Sequence, residues 1–142
     1  MLSTYNVFQA ARRAGIKKVV YASSETVLGL PFDVDPPYIP VDEEYPARPE
    51  STYSLVKHLE EQMAIQLTRW DPELSIAGLR FSNVMDPEDY ELFPSFDSDA
   101  SGRKWNLWAT STGATARRLW RVRWKTASPG SRPSSSRTRT LS

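Results

Sequence analysis

At 142 residues the chain holds one domain's worth of sequence, enough to bury a modest core. It has no cysteine, which excludes a disulfide framework and a thiolate metal site and makes a reducing cytoplasm the expected home. No apolar run approaches the ~20 residues that span a bilayer, and no charged-then-apolar leader opens the chain, so no membrane partner is expected. The net charge of +1 hides two compositions: all 17 acidic residues lie at or before Asp99, and 10 of the 18 basic ones lie beyond it.

Residues 2 to 14 place Leu2, Tyr5, Val7, Phe8, Ala11 and Ala14 on a helical apolar stripe with Arg12 and Arg13 opposite, and Gly15 stops it. Ile16 to Ala22 is a short apolar run that reads as a buried parallel strand. Ser23 and Ser24 fall at its carboxyl end, the edge where ligands sit in an open α/β sheet. A strand-end serine capping a turn is the plainer reading of Ser24. Residues 31 to 49 are rich in proline and carry Asp33, Asp35, Asp42, Glu43 and Glu44, which predicts an irregular, solvated acidic loop.

Pro49-Glu50-Ser51 opens a second helix that runs to about Trp70, where Asp71-Pro72 breaks it. Val56, Leu59, Met63, Ile65, Leu67 and Trp70 are expected on its core side, and His58, the one histidine, is expected to be exposed. With no cysteine and no second histidine, no metal site is expected. Tyr53 and Lys57 sit four apart on this helix, one turn from each other on one face. A phenol titrates near ~10 in water, and an ammonium held beside it favours the phenolate. Such a pair can exchange protons with a substrate hydroxyl or carbonyl. Leu74 to Val84 is the next strand and its exit.

Three stretches, Val19-Val20-Tyr21-Ala22-Ser23-Ser24-Glu25-Thr26-Val27-Leu28-Gly29, Ser51-Thr52-Tyr53-Ser54-Leu55-Val56-Lys57 and Leu79-Arg80-Phe81-Ser82-Asn83-Val84, occur in the order and at the intervals of one family. Over residues 2 to about 108 the chain resembles the extended short-chain dehydrogenase/reductases, the NAD-dependent epimerase/dehydratase family. The resemblance implies an α/β fold: part of a Rossmann-like, doubly wound parallel sheet without its N-terminal dinucleotide-binding strands. Nothing matches G-x-x-G-x-x-G, because the six glycines are spread singly from Gly15 to Gly130. Family members are about twice as long, so the chain is expected to be a truncated fragment, inactive alone.

By resemblance, Tyr53 is the acid/base, Lys57 favours its ionised form and binds the nicotinamide ribose, and Ser24 orients the reacting oxygen. Ala22, Ser23, Tyr53, Lys57 and Phe81 are the expected contacts to NAD or NADP. Ser24, Glu25, Thr26 and Asn83 are the expected contacts to a small substrate, a sugar or sugar derivative. The family's dehydratases carry an Asp-Glu pair where Glu25-Thr26 stands, so epimerase or dehydrogenase chemistry is favoured over dehydration. Leu28 replaces a usual aromatic, and Met85-Asp86-Pro87 replaces a usual Tyr-Gly-Pro. Asp86, Glu88, Asp89 and Glu91 would repel a pyrophosphate, which argues for a smaller or less charged substrate. The family's dimers imply a homodimer through helices 3–14 and 51–70.

Residues 1–108 are thus read as the C-terminal part of an NAD(P)-binding domain and 109–142 as a basic, low-order tail. The tail has three readings: a nucleic-acid-binding segment with Trp120 and Trp124 for stacking, an irregular terminus, or out-of-frame text. Joining the last base of each codon to the next two from Trp108 permits Gly-Tyr-Ile-Asp-x-x-Asp-x-Ala-Gln-Ala-Val-x-x-Ala-Leu-Glu. That string is one choice among allowed codons and is similar to the family's next strand and helix, so a frameshifted C-terminus is preferred. Two rivals to an enzyme fragment follow: a non-enzymatic remnant that pairs with a full-length relative and, ranked last, a nucleic-acid binder.

Overall fold

The structure is a computed structural model that describes residues 1–32, 34–42, 44–96, 98–99, 101 and 109–126. Helix α1 spans Leu2–Arg13, ending just before the predicted glycine stop. Strand β1 covers Lys18–Ser24, so the extended run carries both serines rather than ending ahead of them. A 3-10 turn, Glu25–Leu28, follows directly. Helix α2 spans Thr52–Trp70, and strand β2 spans Ser75–Phe81. Beyond it come a short strand β3, Asn83–Met85, an exposed 3-10 segment, Pro87–Phe96, a strand β4, Thr110–Thr112, and a helix α3, Gly113–Thr126.

β1 and β2 pair in parallel over their full lengths, with Val19 opposite Ile76, Ser23 opposite Arg80 and Ser24 opposite Phe81. The parallel strand-helix-strand unit and its α/β class are those implied by the motifs. At the amino end of the strands Phe8, Ala64, Leu67 and Leu74 form a core, with Val19, Tyr21, Met63 and Ile76 packed against it. The Phe8 and Tyr21 rings meet edge to face at 5.2 Å. Gly78 is the register partner of Tyr21, and a Cβ there would stand 2.8 Å from the phenol oxygen, so the strand admits the ring only because this residue has no side chain.

α2 begins with a capping box: the Ser51 hydroxyl accepts from the Ser54 amide at 3.1 Å, and the Ser54 hydroxyl accepts from the Ser51 amide at 2.9 Å. Its buried face is Ser54, Glu60, Glu61, Ala64, Leu67 and Thr68, which shares Leu67 with the expected apolar stripe, and the expected Met63 also packs against the core. Leu59, Ile65 and Trp70 are exposed, Trp70 at 60%. His58 is half-buried, with Nδ1 lacking a partner among the described residues. The rest of the inward face is polar, with Glu61 paired to Ser23 and Arg80, Glu60 to Thr4, Ser54 to Ser51 and Thr68 to its own helix, so the hydrophobic spacing placed only part of the buried face.

The proline-rich segment forms no regular element, as expected, yet it is not merely solvated. Leu28, Leu30 and Tyr45 form a second small core with Phe32 and Val41 against it. The Arg48 amide donates to the Val27 carbonyl at 2.9 Å, which fastens the loop to the turn after Ser24. Gly29 ends that turn at φ +106, a left-handed conformation, with the Arg48 carbonyl 3.1 Å from where a Cβ would lie. Asp33 and Glu43 of this loop lie outside the described residues.

Residues 110–126, within the segment expected to be a low-order tail, form β4 and α3 instead. β4 pairs in parallel with β3, Asn83 opposite Thr110, and the Ser82 and Ser111 hydroxyls lie 2.8 Å apart. Trp120 of α3 stacks on Phe81 with centroids 6.2 Å apart, so an amphipathic spacing of Trp and aliphatic residues among the arginines was enough to build a helix. The rest of the tail call, 127–142, lies outside the described residues.

Candidate active site

The site is assembled at the carboxyl ends of β1 and β2, where α2 begins. Lys57 reaches back from α2 to donate to the Ala22 carbonyl at 2.9 Å. Its Nζ stands 5.8 Å from the centroid of the Tyr53 ring and 3.5 Å from Glu60. The amine is therefore held beside the phenol rather than extended into solvent, and Tyr53 itself is 57% exposed. Ser24 is buried at the start of the 3-10 turn. Its oxygen accepts from the Thr26 amide at 3.2 Å and from the Thr26 hydroxyl at 2.9 Å. Both acceptor positions of the Ser24 hydroxyl are thereby taken, and its own proton remains to be donated.

Beneath these groups lies a buried ionic cluster. The Ser23 hydroxyl donates to Glu61 Oε1 at 2.6 Å, and Arg80 donates to Glu61 from Nε at 3.0 Å and from Nη2 at 2.7 Å. Glu61 and Arg80 are both almost inaccessible, so the cluster fastens α2 to both strands one residue below Ser24 and Phe81. Glu60 is also buried, its Oε1 receiving the Thr4 hydroxyl of α1. Neither glutamate was legible as buried from the sequence. The one signal was two adjacent acids in a helix whose strand neighbour ends in an arginine.

Strand alternation sends the two serines to different tasks. Ser23 is spent on Glu61, and Arg80 is spent there too. Ala22 is exposed and offers its carbonyl to Lys57. Phe81 is half-buried under Trp120. Asn83 is exposed at the head of β3. Glu25 is 8% exposed, and burial pushes its carboxyl up to about 7 against the opposing effect of the Asn83 N–H.

This shift has a consequence for stability. The folded state keeps a proton on Glu25 that the unfolded chain has released, so folding binds a proton between the ordinary carboxylate range and about 7. The contribution of Glu25 is present at low pH and lost as pH rises through that window, a decline of up to about 3 kcal/mol. Urea melts at closely spaced pH values are expected to show it, and Glu25→Gln is expected to flatten it. An unaltered pH profile in the Gln variant would show that the group is not buried in this way.

The model of the NAD dependent epimerase/dehydratase family matches residues 1–111. The chain belongs to this family. A UDP-glucose 4-epimerase of Bacillus subtilis is 32% identical over 83 residues, covering 58% of this chain and 23% of the relative. A uronate dehydrogenase of Pseudomonas syringae is 38% identical over 60 residues, covering 42% and 20%. A crystal structure of a UDP-galactose 4-epimerase superposes with a TM-score of 0.53 at 32% identity, over 68% of this chain and 32% of that one. A short-chain dehydrogenase/reductase superfamily protein from Agrobacterium tumefaciens with bound NAD gives 0.52 at 33% identity, over 70% and 28%. The epimerase-family chain thus spans about a quarter of the length of these curated relatives.

NAD is the cofactor of the family, and the partially Rossmann-like fold expected from the motifs is that of these neighbours. The residues of this epimerase-family chain fit one end of a dinucleotide. Lys57 keeps ammonium protons beyond the one given to Ala22, and it sits beside an exposed phenol, as a ribose and its nicotinamide require. The pyrophosphate end finds no glycine-rich turn in the sequence. No described group of three His, Cys, Asp or Glu residues is placed to hold a metal, and no helix among the described residues is long and apolar enough to cross a membrane.

Proposed function

We propose that this chain carries the proton-handling half of an NAD(P)-dependent epimerase/dehydrogenase-type oxidoreductase acting at a carbinol or carbonyl of a sugar or related small molecule. The observation that carries the reading is the Lys57 amine, fixed between the Ala22 carbonyl and the Tyr53 ring two residues short of Ser24. NAD(P), when bound, supplies the hydride acceptor. Tyr53 takes the proton of the substrate hydroxyl, Lys57 stands beside its ring and binds the ribose, and Ser24 donates its remaining proton to the same oxygen. Ala22 and Ser23 border the cofactor through their backbone, since the Ser23 hydroxyl is committed elsewhere. The exposed acids Asp86, Glu88, Asp89 and Glu91 favour an uncharged or weakly charged substrate end near β3.

Without a pyrophosphate-binding turn among its residues, the chain binds the dinucleotide weakly and turns over slowly or not at all when alone. Calorimetry with NAD and NADP, followed by turnover of UDP-glucose and of a uronic acid at saturating cofactor, tests the reading. No heat of NAD binding, together with co-purification with a full-length relative, would instead support the non-enzymatic remnant. A specific observation favours self-association in either case: Tyr5 and Val7 of α1 and Leu59, Ile65 and Trp70 of α2 are all exposed. A homodimer through residues 3–14 and 51–70 accounts for them, and a monomeric mass by light scattering at all concentrations would remove it.

The cysteine-free chain fits a cytoplasmic setting. The family match stops at residue 111, which supports the reading that the text past Trp108 is out of frame. Resequencing the DNA across that codon tests it. A nucleic-acid role through the arginines of α3 ranks last. A salt-sensitive shift of single-stranded probes would raise it.

A further inference from the structure

The two oxygens of the Glu60 carboxylate are treated differently. Oε1 accepts the Thr4 hydroxyl of α1 and lies 3.2 Å from the Met1 amine, which ties the two helices together. Oε2 is buried and has no hydrogen-bond partner among the described residues, in a side chain only 4% exposed. A buried carboxylate oxygen without a donor is costly, so the fastening of α1 through Oε1 does not account for it. The cation it faces is the Lys57 ammonium, 3.5 Å away. That gap exceeds an ordinary N–H···O bond by about 0.5 Å, which a small rotation of the flexible lysine stem closes. Helix stability does not explain the pair either, since a lysine that precedes its glutamate is the less favourable order along a helix.

We propose that Glu60 is a positioning residue for the site: its Oε2 takes one proton of the Lys57 ammonium, the Ala22 carbonyl takes a second, and the third is left for a cofactor ribose hydroxyl. The amine is thereby held at a fixed place beside the Tyr53 ring instead of sweeping the space its stem allows. The role, though not the contact, rests on the proposed active site. Burial acts to raise the Glu60 carboxyl, yet the Thr4 hydroxyl, the Met1 amine and Lys57 outweigh it and hold the group below the ordinary carboxylate range. The oxygen facing Lys57 therefore belongs to an ionised carboxylate at neutral pH. The neighbouring acid of α2 is engaged elsewhere, with Glu61 holding Ser23 and Arg80 on the strands.

Exchange of the Lys57 ammonium protons in the full chain, read by nitrogen-detected spectra of labelled lysine, tests the contact. Lys57→Met identifies the signal, and Lys17, held by Asp71 and Glu73, is the internal reference. Glu60→Gln keeps an acceptor for Thr4 but turns an N–H toward the ammonium. It is expected to speed exchange at Lys57 by about tenfold while Lys17 and the β1–β2 amides are unchanged. Unaltered Lys57 exchange in this variant, or equal acceleration at both lysines, would overturn the proposal. A second measurement needs no variant at Glu60: its carboxyl carbon resonance is expected to move in Lys57→Met and to stay in place in Lys17→Met. A Glu60 carbon indifferent to the loss of Lys57 also overturns it. NAD added to the wild type separates the two ideas: a Lys57 signal that ignores NAD counts against the proposed active site, and the variants decide the Glu60 contact independently.

Discussion

Arg80→Met is expected to destabilise the chain by about 3 to 5 kcal/mol, because it strips a buried carboxylate of its cation. Glu61 and Arg80 are 8% and 10% exposed, and two of the three hydrogen bonds on that carboxylate come from the guanidinium. The Ser23 hydroxyl alone would remain on a charge that water cannot reach. Against the 5 to 15 kcal/mol that holds a typical domain together, a loss of about that size removes much of the folded population. Removing both charges is different. In Glu61→Leu/Arg80→Met the desolvation of two ions is avoided, and much of the loss is expected to be recovered. Urea denaturation of the wild type, both single variants and the double variant checks it, and a single-variant change below about 1 kcal/mol would show that the pair is hydrated.

Tyr53→Phe is expected to lower turnover at saturating cofactor by about a hundredfold to ten-thousandfold while leaving the unfolding midpoint in place. The ring is largely exposed and belongs to neither core, so its hydroxyl contributes little to folding. The lost proton carrier is another matter, since the proposed acid/base group is the exposed phenol beside the fixed amine. Lys57→Met is a useful companion, because it also releases the Ala22 carbonyl and so tests whether the strand end moves. A Phe variant within about threefold of wild type would remove the phenol from the chemistry.

Local punctuation made much of the fold legible. Gly15 and Asp71-Pro72 closed α1 and α2 within a residue or so, and the Ser51 cap opened α2 where expected. The strand before the serines and the parallel pairing followed from an apolar run and the motif order. The core side of α2 was read only in part: Leu67 and Met63 face the core, whereas Leu59, Ile65 and Trp70 are exposed. Leu59, Ile65 and Trp70 satisfy a hydrophobic stripe, but Ser54, Lys57 and Glu61 have partners on β1 or β2 or in the cap, and hydrogen bonds to groups distant in sequence leave no periodic trace. The strand and helix at 110–126 were hidden by composition: ten basic residues and no acid beyond Asp99 read as unstructured, whereas Phe81 gives Trp120 a surface to pack on.

The register of β1 on β2 assigns opposite duties to two chemically identical neighbours. Ser23 faces the glutamate and Ser24 the turn only because of where each falls in the pleat. Deleting a single residue anywhere between Lys18 and Ala22 would exchange their faces, setting Ser24 opposite Arg80 and Glu25, not a hydroxyl, opposite Phe81. Length in this strand is therefore constrained more tightly than identity: Val19 or Val20 tolerates replacement by another branched side chain, whereas an indel of one codon disables the machinery outright.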